Sequence, residues 1–235
     1  IIEGSTTVNP IITATVEVYN NLFENVTITV SGTGSSAGIA ALIAGTVDIA
    51  MASRAMKSSE LALLPTAEEF TIARDGIGVI VHSTNTVSQL TVSDLRKIFN
   101  GTITNWNQVG GADAEIVVIN RDATSGTREF FWEHVLQKDN FIATAIEVAS
   151  NGAVRTQVSS TPNAIGYVGL GYLDETTKTV AVRSTGESTS TTSTTTLTTT
   201  PTTTTPVGFI PGYSIVVLLG AVAITVGLIL NKRKR

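Results

Sequence analysis

The chain has 235 residues, of which 42% are hydrophobic and 14% are charged, and it contains no cysteine. The lack of thiols excludes disulfide scaffolds, thiolate zinc sites and cysteine nucleophiles. The formal charge is −4, and setting aside the four basic residues at the C-terminus leaves 11 basic against 19 acidic residues, or −8. A chain this acidic is not expected to bind nucleic acid, and its two histidines provide no metal-ligand spacing.

The N-terminal third alternates β-rich runs with helical patterns, which predicts an α/β sheet with helices on its faces. A first strand is expected to end near Glu3. Apolar residues at helical spacing then predict a helix that begins near Pro10 and reaches Phe23. The other elements predicted in this third are the strand Val26–Val30, the helix Gly38–Ala44 capped by Ser35 or Ser36, and the strand Val47–Met51.

Two glycine-studded apolar runs, Gly76–Val81 and Ile165–Leu170, lie on either side of the middle of the chain. We interpret them as paired crossover strands between two lobes. The elements predicted between them form the second lobe: the helix Val92–Phe99 capped by Thr91 or Ser93, the strand Glu115–Asn120 and the helix Thr127–Leu136. A single sheet without a cleft is the alternative.

The C-terminal quarter has a different composition. Almost every residue from Ser184 to Pro206 is Ser or Thr. This composition is typical of a disordered stalk that is open to O-glycosylation, because it has no apolar surface to bury. The next 24 residues, Val207–Leu230, carry no charge. As a helix they would be about 36 Å long, enough to cross a hydrocarbon core of roughly 30 Å. A basic tail at residues 231–235 is expected in the cytoplasm, so the rest of the chain is predicted to lie outside the cell.

The stretch Ile210–Tyr213, just before this predicted transmembrane helix, resembles an archaeal surface-protein pattern. That pattern comprises a Thr-rich stalk, a Pro-Gly-aromatic motif, a span and a basic end, and the tail is processed and replaced by a lipid anchor. Either form would tether the chain to the cell membrane. No basic leader opens the chain, so a mature or truncated form is expected.

Three loops that join a strand to a helix carry the most distinctive chemistry: Gly4–Thr7, Gly32–Gly38 and Arg121–Arg128. A helix N-terminus exposes unpaired N–H groups and about half a positive charge, so Gly, Ser and Thr there let an anion approach the backbone. Arg121 adds a guanidinium able to make charge-assisted hydrogen bonds. Together the loops predict an oxyanion cage. Plain helix capping, and a salt bridge of Arg121 with Asp122 or Glu129, are the alternatives.

The same loops were compared with nucleotide-binding and hydrolase motifs, and these fit less well than an oxyanion site. The glycines of Gly32–Gly38 miss the dinucleotide spacing, and no lysine follows to form a P-loop. Gly34–Gly38 does match the GxSxG nucleophile elbow, with His134 later in the chain, so an acyl hydrolase is an alternative. Residues 1–183 are few for that fold, and His134 lies in an aromatic-rich predicted helix.

Six stretches occur in one order along the chain: Gly4–Pro10, Ser31–Gly38, Asp48–Arg54, Leu95–Trp106, Arg121–Arg128 and Asn163–Val168. Together they resemble the phosphate-binding proteins of ABC phosphate importers. The resemblance implies a two-lobed periplasmic-binding-protein fold of type II with two crossover hinge strands, closing on one phosphate and delivering it to permease subunits. Residues 1–78 with 160–183 would form the first lobe, and residues 79–159 the second.

Carried over by motif, the phosphate contacts would be Thr6, Thr7, Ser35 and Ser53 from the first lobe, with Arg121, Ser125, Gly126 and Thr127 from the second. The resemblance implies a monomeric binding protein with no catalytic residue, cofactor or metal. Some members have aspartate at Ser53, where a carboxylate accepts the proton of hydrogen phosphate and repels sulfate. The alternatives are a binding protein for sulfate, molybdate or tungstate, and a tethered surface or adhesion protein that reuses the fold.

Overall fold

The computed structural model describes residues 1–184 and 224–231. In chain order the first elements are β1 (Ile2–Gly4), α1 (Asn9–Leu22), β2 (Val30–Gly32), α2 (Ser35–Ala44), β3 (Ile49–Ala52), α3 (Ser58–Leu63) and β4 (Ala67–Asp75). They are followed by β5 (Ile77–Val81), β6 (Gln89–Thr91), α4 (Val92–Phe99), β7 (Val117–Arg121), α5 (Gly126–His134), β8 (Ile146–Val148), α6 (Asn151–Ser160), β9 (Ala164–Gly169), β10 (Lys178–Arg183) and β11 (Ile224–Asn231).

The strands form two sheets, so the α/β class is confirmed and the single-sheet alternative is wrong. The first sheet has the order β2-β1-β3-β11-β4, and the second has the order β6-β10-β5-β9-β7-β8. We call the first sheet with α1–α3 the first lobe, and the second sheet with α4–α6 the second lobe. The chain passes from the first to the second at Gly76, the single residue between β4 and β5.

The first lobe places three loops at one edge of its sheet. Strand β1 pairs in parallel with both β2 and β3, as expected of strands joined through helices. Alternate residues of β3 pack on opposite faces, Met51 toward Ile12 of α1 and Ala50 toward Ile39 of α2. Because parallel strands end at the same edge, the loops that follow β1, β2 and β3 lie side by side there.

The second lobe is built around an aromatic core. The rings of Phe131 and Tyr167 stack with centroids 4.1 Å apart, and Phe99 packs against Phe131 at 4.8 Å. On the other face of the sheet, Val154 and Val158 of α6 are fully buried. This two-sided burial explains why β5, β7 and β9 are nearly continuous apolar runs rather than alternating ones.

The predicted crossover strands are β5 and β9, and they pair with each other antiparallel in the middle of the second sheet. The assignment of residues 160–183 to the first lobe is therefore wrong. Strand β9 also pairs with β7, and β10 lies between β5 and β6. The sequence of an apolar strand is compatible with either sheet. In the structure β9 pairs with β5 and β7, and β10 pairs with the other edge of β5.

Two of the predicted boundaries in the first lobe also differ from the structure. The strand predicted at Val26–Val30 begins only at Val30, because Asn20 hydrogen-bonds both backbone groups of Ile28 at 3.0 and 3.1 Å. Helix α2 begins at Ser35 itself, with Gly34 as its N-cap and no side-chain cap. In the second lobe the Thr91 cap of α4 is confirmed, since its hydroxyl accepts from the Asp94 amide at 3.0 Å.

The C-terminal strand β11 corrects the membrane prediction over part of its length. Val207–Leu230 is predicted as one helix, but residues 224–230 belong to a strand that pairs antiparallel with β3 and β4. A short uncharged, β-branched run has the composition of a buried strand as well as of a span. Within the described residues no helix is long and apolar enough to cross a bilayer. Residues 185–223, which include the predicted stalk, and residues 232–235 lie outside the described part.

Candidate functional site

The first two predicted loops and the residue after β3 form one hydroxyl cluster at the edge of the first sheet. Ser35 and Ser53 are fully buried, and their hydroxyl oxygens are 3.2 Å apart. Ser5 donates to the Ser53 hydroxyl at 3.0 Å, and the Ser53 amide donates to Ser35 at 3.1 Å. A side chain on Gly4 would collide with the backbone of Met51, so β1 can approach β3 this closely only with glycine there.

The third loop places a buried cation opposite this cluster. Arg121 ends β7, and only 1% of its surface is exposed. Its Nη2 donates to the Ala149 carbonyl at 3.0 Å, but its buried Nε and Nη1 have no hydrogen-bond partner among the described residues. Burial lowers the pKa of Arg121, partly offset by nearby Tyr167 and Asp122.

Neither salt-bridge alternative for Arg121 is formed among the described residues. Asp122 instead accepts hydrogen bonds from the Thr124 hydroxyl and amide at 2.6 and 3.0 Å. Glu129 makes ion pairs with Arg54 and Lys57 of the first lobe. The Nε and Nη1 of Arg121 therefore carry three buried N–H groups that no described residue accepts.

The two lobes meet in the cleft through the predicted residues themselves. The Thr7 and Thr127 hydroxyls are 2.9 Å apart. Gly126 lies so close to the first lobe that a Cβ there would be 2.5 Å from the Ser35 hydroxyl and 2.7 Å from the Ser53 hydroxyl. Residues from all three loops are thus brought to one place, on both sides of the interlobe contact.

Ser125 has a local role in this arrangement. Its hydroxyl accepts from the Arg128 amide at 3.1 Å and so caps α5. The capping alternative therefore holds for this one hydroxyl, whereas Ser35 caps no helix. Ser125 stands one residue before Gly126, at the helix end that faces the first lobe.

Asn151 is a site residue that the sequence analysis missed. It is fully buried at the start of α6, and its Nδ2 donates to both the Thr6 and Thr7 hydroxyls at 3.0 Å. Its Oδ1 accepts from the Gly169 amide at 3.2 Å. The signal was present in Ser150–Gly152, a fourth loop that leads from a strand into a helix.

Comparison with known proteins assigns the family. A PBP superfamily domain matches residues 1–212. A phosphate-bound structure of a phosphate ABC transporter substrate-binding protein from Clostridium perfringens is 37% identical, with a TM-score of 0.73 over 77% of this chain and 74% of that chain. An ABC-type phosphate transport receptor from Vibrio cholerae is 38% identical, with a TM-score of 0.61 over 77% and 75%. This chain belongs to the PstS-like family of that superfamily.

The relatives are longer than this PstS-like chain. The phosphate-binding protein PstS of Borreliella burgdorferi is 39% identical over 178 residues, which are 73% of this chain and 63% of the relative. PstS of Pseudomonas aeruginosa is 32% identical over 76% of this chain and 61% of the relative. The chain thus spans less than two thirds of the length of these curated relatives.

Membership of a family of substrate-binding proteins argues against the enzyme alternative, and so does the geometry of this chain. In the GxSxG stretch, the Ser36 hydroxyl accepts from Arg54 at 3.0 Å. His134 is bound to the Phe130 carbonyl at 3.0 Å and stacks on the Phe130 ring. Ser36 and His134 are therefore engaged with other groups rather than with each other. Among the described residues no group of three or more His, Cys, Asp or Glu could hold a metal.

Proposed function

We propose that this chain binds inorganic phosphate between its two lobes and presents it to the permease of an ABC importer. The observation that carries the proposal is the buried Arg121, whose Nε and Nη1 lack partners among the described residues. A charge removed from water is costly unless an opposite charge meets it. An oxyanion in the cleft supplies that charge. The names of the relatives from Clostridium and Vibrio support phosphate as the anion.

The proposed ligands surround the cleft with neutral donors. They are the predicted Thr6, Thr7, Ser35, Ser53, Ser125, Gly126 and Thr127, with Arg121 as the charged contact. A hydroxyl can donate to an ionised phosphate oxygen and can also accept the proton of hydrogen phosphate. In the structure several of these hydroxyls bond to each other, so binding would exchange neutral hydrogen bonds for stronger charge-assisted ones.

The division of the ligands between lobes supports a closing motion as part of binding. Neither lobe alone surrounds a tetrahedral anion, since Arg121 and Thr127 belong to the second lobe and Ser35 and Ser53 to the first. Closure would exclude water and strengthen each hydrogen bond in the drier cleft. The Gly76 connection between β4 and β5 is the proposed hinge, because only one residue there joins the two sheets.

Selectivity among oxyanions depends on Ser53. Its hydroxyl already contacts Ser5 and Ser35 at 3.0 and 3.2 Å, and it carries no charge to repel sulfate. We therefore expect phosphate to be favoured through proton acceptance by hydroxyls rather than through charge repulsion. Weaker binding of sulfate is the expected consequence.

Calorimetric titration of the full chain with phosphate, sulfate and molybdate tests the proposal. The Arg121→Gln variant should lose at least about a hundredfold in phosphate affinity, because each hydrogen bond to a charged group contributes about 1.5 to 3 kcal/mol. The matched control is Arg96→Gln, since Arg96 is partly exposed and contacts Gln137 and Asp139 within the second lobe.

Unchanged phosphate binding in Arg121→Gln would contradict the proposed site. A folded chain that binds none of the three anions would contradict the function itself. The tethered surface or adhesion protein would then be the function to pursue. An archaeal cell surface and a tether through the predicted stalk Ser184–Pro206 and the uncharged residues after it stay predictions, and they concern where the protein acts rather than what it binds.

A further inference from the structure

A cluster of charges joins the two lobes beside the cleft. Arg54 directly follows Ser53, and only 6% of its side chain is exposed. Its Nη1 and Nη2 donate to Glu60 of α3 at 2.8 and 2.7 Å, and Nη2 also donates to Ser36 at 3.0 Å. These contacts keep the guanidinium fixed within the first lobe.

The remaining side of this guanidinium faces the second lobe. Its Nε lies 3.0 Å from Oε2 of Glu129 on α5, an ion pair that lacks hydrogen-bond alignment. Nζ of Lys57 lies 2.9 Å from Oε1 of the same carboxylate. Both oxygens of Glu129 are thus held by first-lobe cations. Burial would lower the pKa of Arg54, but Glu60 and Glu129 raise it above its ordinary value.

We propose that Glu129, Arg54 and Lys57 form an interlobe latch, in which Glu129 is a positioning residue that sets phosphate affinity without touching phosphate. This inference rests on the proposed function, because it assumes that phosphate binds to the closed lobes. The latch can form only while α5 lies against the first lobe. The latch therefore stabilises the closed state alone and raises the fraction of closed molecules. The apparent phosphate affinity increases in proportion to that fraction.

The latch is connected to the phosphate ligands on each side. Arg54 is the residue after Ser53, and the Glu129 amide donates to the Ser125 carbonyl at 3.1 Å within the first turn of α5. Lys57, Ser125 and Glu129 also line one cavity of about 330 Å³. Opening the latch would therefore let α5, with Ser125 at its start, move away from the first lobe and release the anion faster.

The test compares Glu129→Gln with Glu133→Gln in the full chain. Glu133 lies on the same helix but pairs at 3.5 Å with Lys138, inside the second lobe. Removing one partner of a partly buried charge pair mainly raises the dissociation rate. We expect Glu129→Gln to release phosphate about tenfold faster, and Glu133→Gln to match the wild type. Stopped-flow kinetics measures this rate.

A second variant, Lys57→Met, keeps the test valid if Glu129→Gln fails to fold. The Lys57 side chain is 51% exposed, so its loss should leave folding intact. It should speed release less than Glu129→Gln does. Adding Lys57→Met to Glu129→Gln should speed release no further, because the two substitutions remove the same contact.

The outcomes separate the latch from the proposed function. Wild-type release rates in both Glu129→Gln and Lys57→Met, with binding lost in Arg121→Gln, would overturn the latch and leave phosphate binding standing. If the wild type binds no phosphate, the proposed function fails. The latch is then judged by small-angle scattering, and a Glu129→Gln variant as compact as the wild type overturns it.

Discussion

Arg121 holds its charge where water is nearly excluded, with one described hydrogen bond from Nη2 and none from Nε or Nη1. Such a residue opposes folding in the absence of a bound anion. Replacing a buried ionic group with an apolar one of similar size is often neutral or stabilising. Arg121 therefore lowers the folding stability of the chain without anion and, in the proposed function, raises its affinity for phosphate.

We expect Arg121→Met to raise the free energy of unfolding in the absence of oxyanions by about 1 kcal/mol or more. The same variant should lose the stabilisation that phosphate gives the wild type, since a ligand stabilises only the state that binds it. Thermal unfolding with and without phosphate measures both effects. A variant less stable than the wild type without phosphate would mean that Arg121 is already neutralised by the protein.

At the residue scale, the sequence predicted those positions whose chemistry is local. Glycine, serine and threonine before a helix predict a backbone that an anion can approach, and Ser35 and Gly126 were predicted on that ground. Asn151 was missed because its role depends on partners about 145 positions away, Thr6 and Thr7. Ser150–Gly152 indicates only that a helix begins there, and it does not show which residues Asn151 contacts.

At the scale of elements, four helices begin at the cleft: α1, α2, α5 and α6. The first three N-termini follow the predicted loops, and α6 brings Asn151 to the hydroxyls of Thr6 and Thr7. Each N-terminus contributes partial positive charge to the same space. The arrangement favours an anion even where the individual contacts are neutral.

This convergence predicts losses of different size for two substitutions of Asn151. Asn151→Ala removes hydrogen bonds and should weaken phosphate binding by about tenfold, or 1.4 kcal/mol. Asn151→Asp keeps the size but adds a buried negative charge near the anion, so we expect a much larger loss that changes little with salt concentration. Titration of both variants at two salt concentrations decides the matter. Equal losses in the two would show that Asn151 lies outside the field of the bound anion.

Element types were predictable where local patterns decide them, and sheet membership was not. Thr91 and Asp94 form a capping box that marks the start of α4. By contrast, β9 was placed in the first lobe although it pairs with β5 and β7. The partner of a strand and the register of their pairing depend on which strand edges are available. The sequence of a uniformly apolar strand does not predict either of them.

At the scale of the whole molecule, β11 occupies an interior position between β3 and β4. Ile229 is 2% exposed and packs with the α2 cluster, whereas Leu228 packs toward the α1 side. The strand thus contributes to both cores of the first lobe. Residues 224–230 cannot pair here and cross a membrane as a helix at the same time.

Truncation distinguishes these two roles. Deleting residues 224–235 should lower the unfolding temperature and promote aggregation, because β3 and β4 would each present an unpaired edge. Deleting only residues 232–235 is the matched control and should leave stability unchanged. Circular dichroism and gel filtration report the result. Equal stability of the two truncated chains would leave the segment free for the predicted membrane anchor.

The position of β11 in the first sheet also determines the order in which the two lobes can fold during synthesis. The second sheet uses strands from one continuous stretch, residues 77–183, so it can assemble while the chain is still being translated. The first sheet is completed later, since Gly227 of β11 pairs with Ala52 of β3, far back along the chain. The half of the cleft that contains Ser35 and Ser53 can therefore be completed only after residues 224–231 have been synthesised. Until then the nascent protein has a folded second lobe and a first lobe in which β3 and β4 each have an unpaired edge. A chaperone that binds exposed strand edges would recognise this state.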